Sequence, residues 1–186
     1  AIIERSFHYK TLSAPILTMC ALAGRLGHGV EAWLHVIPLP FALAAFPDRF
    51  FAALRLPVVS YALPALIAIG QARHHHAPSP NPFLRTIRNL THAKTLRKLS
   101  VIQPSSGGFL EATPLTSFVV MSLAAIGEVR NSVTRKGIEF LEASQLADGS
   151  WAIDTNLATW CTTLAMDALN RNTLDHEAAE NWLLNQ

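Results

Sequence analysis

The chain repeats itself at one fixed offset, the distance from Gln103 to Gln145, and that register restricts the fold more than any other feature of the sequence. Gln103, Gly107 and Phe109 return as Gln145, Gly149 and Trp151, Phe118 returns as Trp160, Lys94 as Lys136 and Leu99 as Leu141, all without a gap. A third copy opens with Ala179, Trp182 and Leu183, which stand at the same offset beyond Gly137, Phe140 and Leu141. The register puts the next Gln at position 187, one beyond Gln186, so the chain is expected to be a piece cut inside a repeat. A period of this length marks stacked supersecondary units, none of which can bury its apolar face alone.

Helix signals fill the second half. Thr113 followed by Pro114 predicts an N-cap with Pro at the first helical position, and Gly127 predicts the stop. Leu115, Phe118, Val119, Val120, Met121, Leu123, Ala124 and Ile126 leave that helix almost no polar side, so it is expected to be buried all round. The matching helix is expected to start at Asp154 or Thr155 and carries Leu157, Trp160, Cys161, Leu164, Ala165 and Ala168 at spacings of three and four. Residues 132–145 predict a more polar helix between them, one inner and one outer helix per repeat. Upstream, residues 11–23 read as the inner helix of an earlier repeat, ended by Gly24. Residues 77–82, with three prolines in six residues, read as a loop. A basic helix is expected from about Leu84 to Ile102.

Within the repeat, the turn has its own logic. Gln145 closes the outer helix, Gly149 permits a backbone angle closed to other residues, and Trp151 can lay its ring over the turn while its indole N–H seeks an acceptor. Written out, Lys136-Gly137-x-x-Phe140-Leu141-x-x-x-Gln145-x-x-x-Gly149-x-Trp151 resembles the QW repeat of the squalene-hopene and oxidosqualene cyclases, with Gln103, Gly107 and Phe109 as a degenerate copy. Trp33, Ile37-Pro38-Leu39-Pro40, Phe50-Phe51, Pro57 and Ser60-Tyr61-Ala62 resemble the non-repeat part of such a cyclase more loosely.

The resemblance implies an all-α fold of the α/α toroid type, inner helices lining a cavity and outer helices sheathing it. It divides the chain into the end of an upstream repeat (1–27), a Pro-rich apolar segment that could contact a membrane (28–82) and the repeats (83–186). It implies class II terpene cyclase chemistry: an alkene of a long isoprenoid such as squalene is protonated and the carbocation cyclises, without metal or organic cofactor. The strong acid for that step comes from an Asp-x-Asp-Asp motif in the family. Here Asp148, Asp154, Asp167 and Asp175 are isolated, so no catalytic residue is assigned and the motif is expected downstream. Phe118 and Trp160, at equivalent inner-helix positions, are candidates to line the cavity and face a migrating cation, with Tyr61 and Asp154 behind them. Each also has a plainer role: the aromatics as core, Asp154 as the cap of a helix starting at Thr155. Gln103, Gly107, Phe109, Gln145, Gly149 and Trp151 are expected to be structural.

Charge divides the chain. Residues 1–110 hold 11 Lys or Arg against three acids, whereas residues 111–186 hold four against ten, and no acid falls between Arg49 and Leu110. Such a stretch suits phosphates of lipid or nucleic acid. A nucleic-acid partner is disfavoured because the region is broken by proline and lacks interleaved aromatic and basic residues. The apolar run from Leu56 to Ala72, flanked by Arg55 and Arg73, is short for a span of about 20 residues. It suits a segment lying in one leaflet or a buried helix. By resemblance the protein docks on the cytoplasmic side of a membrane as a monotopic protein, with a homodimer as one assembly it allows. His74, His75 and His76 are expected in a solvated loop rather than at a metal, and Cys20 and Cys161 suggest neither a disulfide framework nor zinc. The rival reading is a non-catalytic toroid that binds a lipid or isoprenoid.

Overall fold

Punctuating residues and long apolar runs alternate in this chain, and helices occupy the intervals. The computed structural model describes residues 10–47, 62–154, 157–169 and 176–185. Eight α-helices appear among them: α1 (Lys10–Leu22), α2 (Val30–Leu34), α3 (Leu63–His76), α4 (Pro82–Ile102), α5 (Thr113–Ala125), α6 (Ser132–Ala143), α7 (Ala158–Ala168) and α8 (His176–Leu184). Short 3-10 turns cover Phe41–Ala45, Phe109–Glu111 and Glu128–Arg130. No strand occurs among the described residues, only two isolated bridges, so the fold is all-α.

Local chemistry explains the boundaries. Asn81 caps α4 by accepting from the backbone N–H of Phe83 at 3.0 Å and of Leu84 at 3.3 Å, and Pro82 follows in the first turn, where its missing N–H costs nothing. Asn131 caps α6 in the same way through Val133 N–H at 3.0 Å. Arg135 and Glu139, exposed at 3.8 Å, mark the wet side of α6, while Val133, Gly137 and Phe140 mark the dry side. The register carries through to structure: Ser132–Ala143 moved forward by one repeat covers α8, and moved back by one repeat it covers the second half of α4. The first half of α4, residues 82–89, is an extension outside the repeat.

Helix α3 is the hub. It packs against α1, α2, the Phe41–Ala45 turn, α4 and α5. Ile67 through His74 are buried in an unbroken run, so a helix with no polar side becomes interior, as the physics of burial requires. The described part of the apolar Leu56–Ala72 run therefore lies under its neighbours; residues 48–61 fall outside the described residues. Beside α3 lies α5, backed by α6, and α4 touches both α3 and α6. One apolar cluster joins Ala21, Trp33, Val36, Ile69, Ala72 and Ala77. A second joins Ile67, Ala68, Leu99, Phe109, Val119, Leu123 and Val133. Each large side chain sealed in this way contributes about 1.5–3 kcal/mol.

Three expectations about α5 and α7 need correction. Thr113 is not the cap of α5: Ala112 is, and the Thr113 hydroxyl is buried without a partner. The reason is that Thr113 N–H donates to Ile153 O at 3.0 Å, which fixes the entry to the helix from outside. Helix α5 is not buried all round either. Thr116, Val119, Val120 and Leu123 are buried, but Phe118 is half-buried and Met121 and Ala124 are exposed. Finally, α7 starts at Ala158 rather than at Asp154 or Thr155, because the bridge between Ala112 and Asp154 holds the chain extended there. Asp154 does not cap it. Among the described residues no helix is long and apolar enough to cross a membrane.

Candidate functional site

The repeat signal of the sequence rests on two turns, each built on a glutamine side chain. Gln103 Nε2 donates to Gly107 O at 2.9 Å and to Val133 O at 3.0 Å. Gln145 Nε2 donates to Gly149 O at 3.1 Å. The two glycines have φ of +90° and +84°, a region that a side chain disfavours. In the second turn the Trp151 indole N–H donates to Leu141 O at 2.7 Å, closing the ring over the turn. Asp148 tightens it by accepting from Ser150 N–H and hydroxyl, which hold its carboxyl below the ordinary value. In the first turn Phe109 is buried instead, and its N–H donates to Thr116 Oγ1 at 2.9 Å. Leu110 and Glu111 follow with φ of 55° and 53°, a strained path that drives the ring inward.

The candidate cavity residues do not converge. Phe118 sits half-buried on the open side of α5, in line with Met121 and Ala125 one and two turns later. Trp160 falls in the first turn of α7, and its side chain lies outside the described residues, as does Tyr61 entirely. Asp154 lines a concavity of about 390 Å³ with Phe140, Gln145 and Leu146, between α6 and the second turn. Phe118 is not in its lining. The described carboxylates are all exposed or half-exposed, and none lies in a dry cavity.

A second constellation departs from the sequence expectation. His74, His75 and His76 are not a loop: they form the last turn of α3, with His74 buried and His76 half-buried. His76 stacks on Trp33 at 4.4 Å between ring centroids and meets Ala125 O at 3.1 Å. His74 Nε2 lies 2.9 Å from Asn89 Oδ1 on α4. Burial lowers the pKa of both, His74 being lowered further by Arg88, Arg85 and Arg73, and His76 by His75. Arg73, one residue earlier, is also buried. Its Nε donates to Val36 O at 3.0 Å and its Nη1 to Ala77 O, and burial lowers its pKa as well, assisted by Arg88. Gln71 Nε2 donates to Thr95 Oγ1 at 2.6 Å.

These polar groups border a cavity of about 360 Å³ between α3 and α4, lined among others by Gln71, His74, Arg85, Arg88, Asn89 and His92. The one sequence signal for it is the acid-free basic run; the i, i+3, i+4 and i+7 spacing of Arg85, Arg88, Asn89 and His92 along α4 puts them on one side of that helix. Among the described residues no group of His, Cys, Asp and Glu is placed to hold a metal ion. Comparison with protein-family models, with curated proteins and with solved structures finds no match to this chain.

Proposed function

We propose that the chain contributes helical repeats to a class II terpene cyclase of the squalene-hopene type, which closes a long linear isoprenoid into rings after protonation of an alkene. The observation that carries this reading is the pair of turns one repeat apart, each built on a Gln side chain donating to the carbonyl of a left-handed Gly four positions on. The partly uncovered apolar side of α5 gives secondary support, since a helix next to a polyene needs such a side and Phe118 on it offers a ring face to a cation. In this reading the helices continue into an α/α toroid, the substrate arrives from a membrane surface that the protein touches without spanning, and no cofactor takes part. Protonation falls to a residue outside those described, because each described carboxylate is solvated.

That same solvation favours a second reading, in which the toroid binds a lipid or isoprenoid without turnover. Incubation of the protein with squalene, followed by mass spectrometry of the extracted hydrocarbons, separates the two. Polycyclic products of unchanged mass support the cyclase. Saturable squalene binding with complete recovery of the linear hydrocarbon supports the binding protein, and absence of both removes the isoprenoid reading.

A further inference from the structure

The cavity between α3 and α4 combines two features that ordinary packing does not explain. The first is uncompensated positive charge. Arg85 and Arg88 line it with no carboxylate in the lining, and neither guanidinium forms an ion pair among the described residues. Arg88 is held in place by the Phe41 ring, 5.9 Å from its guanidinium carbon. The second feature is a pair of orphaned acceptors. Gln71 is 2% exposed and His74 9%. Gln71 Oε1 and His74 Nδ1 are buried without any hydrogen-bond partner.

The neighbours fix which atoms are acceptors. Thr95 Oγ1 already donates to the α4 backbone, at 2.9 Å to His92 O and 3.1 Å to Thr91 O, so it accepts from the Gln71 amide and the Gln71 carbonyl must face elsewhere. His74 donates from Nε2 to Asn89 Oδ1, and because its pKa is lowered, Nδ1 carries a lone pair at neutral pH. An acceptor left bare in a buried place costs more than a hydrogen bond contributes, so such atoms call for a donor that the protein itself does not supply, a water or a ligand. Residues of this cavity therefore ask for a molecule that is anionic toward the two arginines and that also offers an O–H.

We propose that the cavity is a binding site for a phosphate group, free or as the head of a larger molecule, whose charged oxygens meet Arg85 and Arg88 and whose P–OH donates to Gln71 Oε1 or His74 Nδ1. Inorganic phosphate keeps a P–OH throughout the neutral range, and a monoester, whose second ionisation lies at about 6, keeps one in its monoanion, the form that such acceptors select. Sulfate has the shape and the charge but no proton to give. Arg is also the side chain that best fits tetrahedral oxyanions by paired N–H donors. The volume of about 360 Å³ exceeds one phosphate, and the half-buried Ile126 in the lining gives an attached carbon chain an apolar contact. This site is independent of the isoprenoid reading.

The test is calorimetric titration of the protein with inorganic phosphate and with sodium sulfate at equal ionic strength, alongside flotation with vesicles of phosphatidylcholine with and without phosphatidic acid. Saturable phosphate binding at least tenfold tighter than sulfate binding, reduced tenfold or more in the Arg85→Gln, Arg88→Gln double variant, is the expected result. Flotation only with phosphatidic acid, competed by inorganic phosphate, assigns the phosphate to a lipid head; phosphate binding without flotation assigns it to a soluble ligand. Arg85 is exposed, so Arg85→Gln alone, with an unchanged melting curve, serves as the variant that keeps its fold. No saturable phosphate binding, equal binding of sulfate, or full binding by the folded variants overturns the proposal.

Discussion

Phe109 is sealed at 2% exposure while Trp151, its counterpart one repeat later, stands at 47%, although the same Gln-to-Gly bond frames both. The difference lies in what rests on the turn. In the first, Gln103 Nε2 reaches beyond its own turn to Val133 O at the start of α6, and Gly107 approaches that helix so closely that a Cβ would lie 2.3 Å from Lys136 O. In the second, the nearest atom to a Cβ on Gly149 is Gln145 Nε2 at 3.9 Å. The counterpart of Val133 is residue 175, outside the described residues. None of the described residues after Phe140 is buried. A turn of this kind is thus a weak local device that becomes a strong joint once an outer helix docks on it.

Paired substitutions sharpen that comparison. Phe109→Ala should destabilise by about 3–5 kcal/mol, as large-to-small changes in a filled core do. Trp151→Ala should lose about 1–2 kcal/mol, mostly one hydrogen bond and a half-exposed ring. Chemical denaturation of both variants reads the difference. Gly107→Ala comes next: left-handed strain of roughly 1–2 kcal/mol is joined by a backbone clash with α6, whereas Gly149→Ala incurs the strain alone. A smaller contrast is expected for glutamine. Gln103→Ala removes two bonds and should cost roughly twice what Gln145→Ala costs, each net bond being worth about 1 kcal/mol. Equal losses in any pair would break the comparison.

Acidification probes the histidines at the end of α3. His74 and His76 have pKa values lowered by folding, so between those values and the unfolded value of about 6.5 the unfolded chain binds more protons. Their contribution is complete above a pH of about 6.5 and falls away as the pH drops through the unfolded value towards the folded ones. The melting temperature should decline from pH 7.5 to pH 5. His76→Phe, which keeps the stacking on Trp33, should flatten part of that decline; an unchanged slope would remove His76 from the account.

How much of this is legible in the sequence follows from the range of the contacts. The repeat register places α5, α6, α8 and both turns, because Gln, Gly and an aromatic ring act within a short stretch such as Gln103 to Phe109. The start of α7 is hidden because Asp154 is held by Ala112, a partner one full repeat earlier in the chain. The histidines are hidden for a similar reason. No local pattern shows that Gln71, Arg73 and His74 meet Thr95, Val36 and Asn89, which packing brings to them. Apolar pattern alone likewise leaves open whether Leu63–His76 lies inside or at a surface, and its five packed neighbours decide that.

Hydrogen exchange followed by mass spectrometry on the unmodified chain tests the central claim most directly, since it reads both turns in one experiment. Backbone amides of residues 103–112, among them Phe109 N–H on Thr116 Oγ1, should exchange at least on the order of tenfold more slowly than those of residues 145–154. Equal rates in the two segments, or slower exchange in the second, would contradict the view that docking of the following outer helix is what gives the turn its strength.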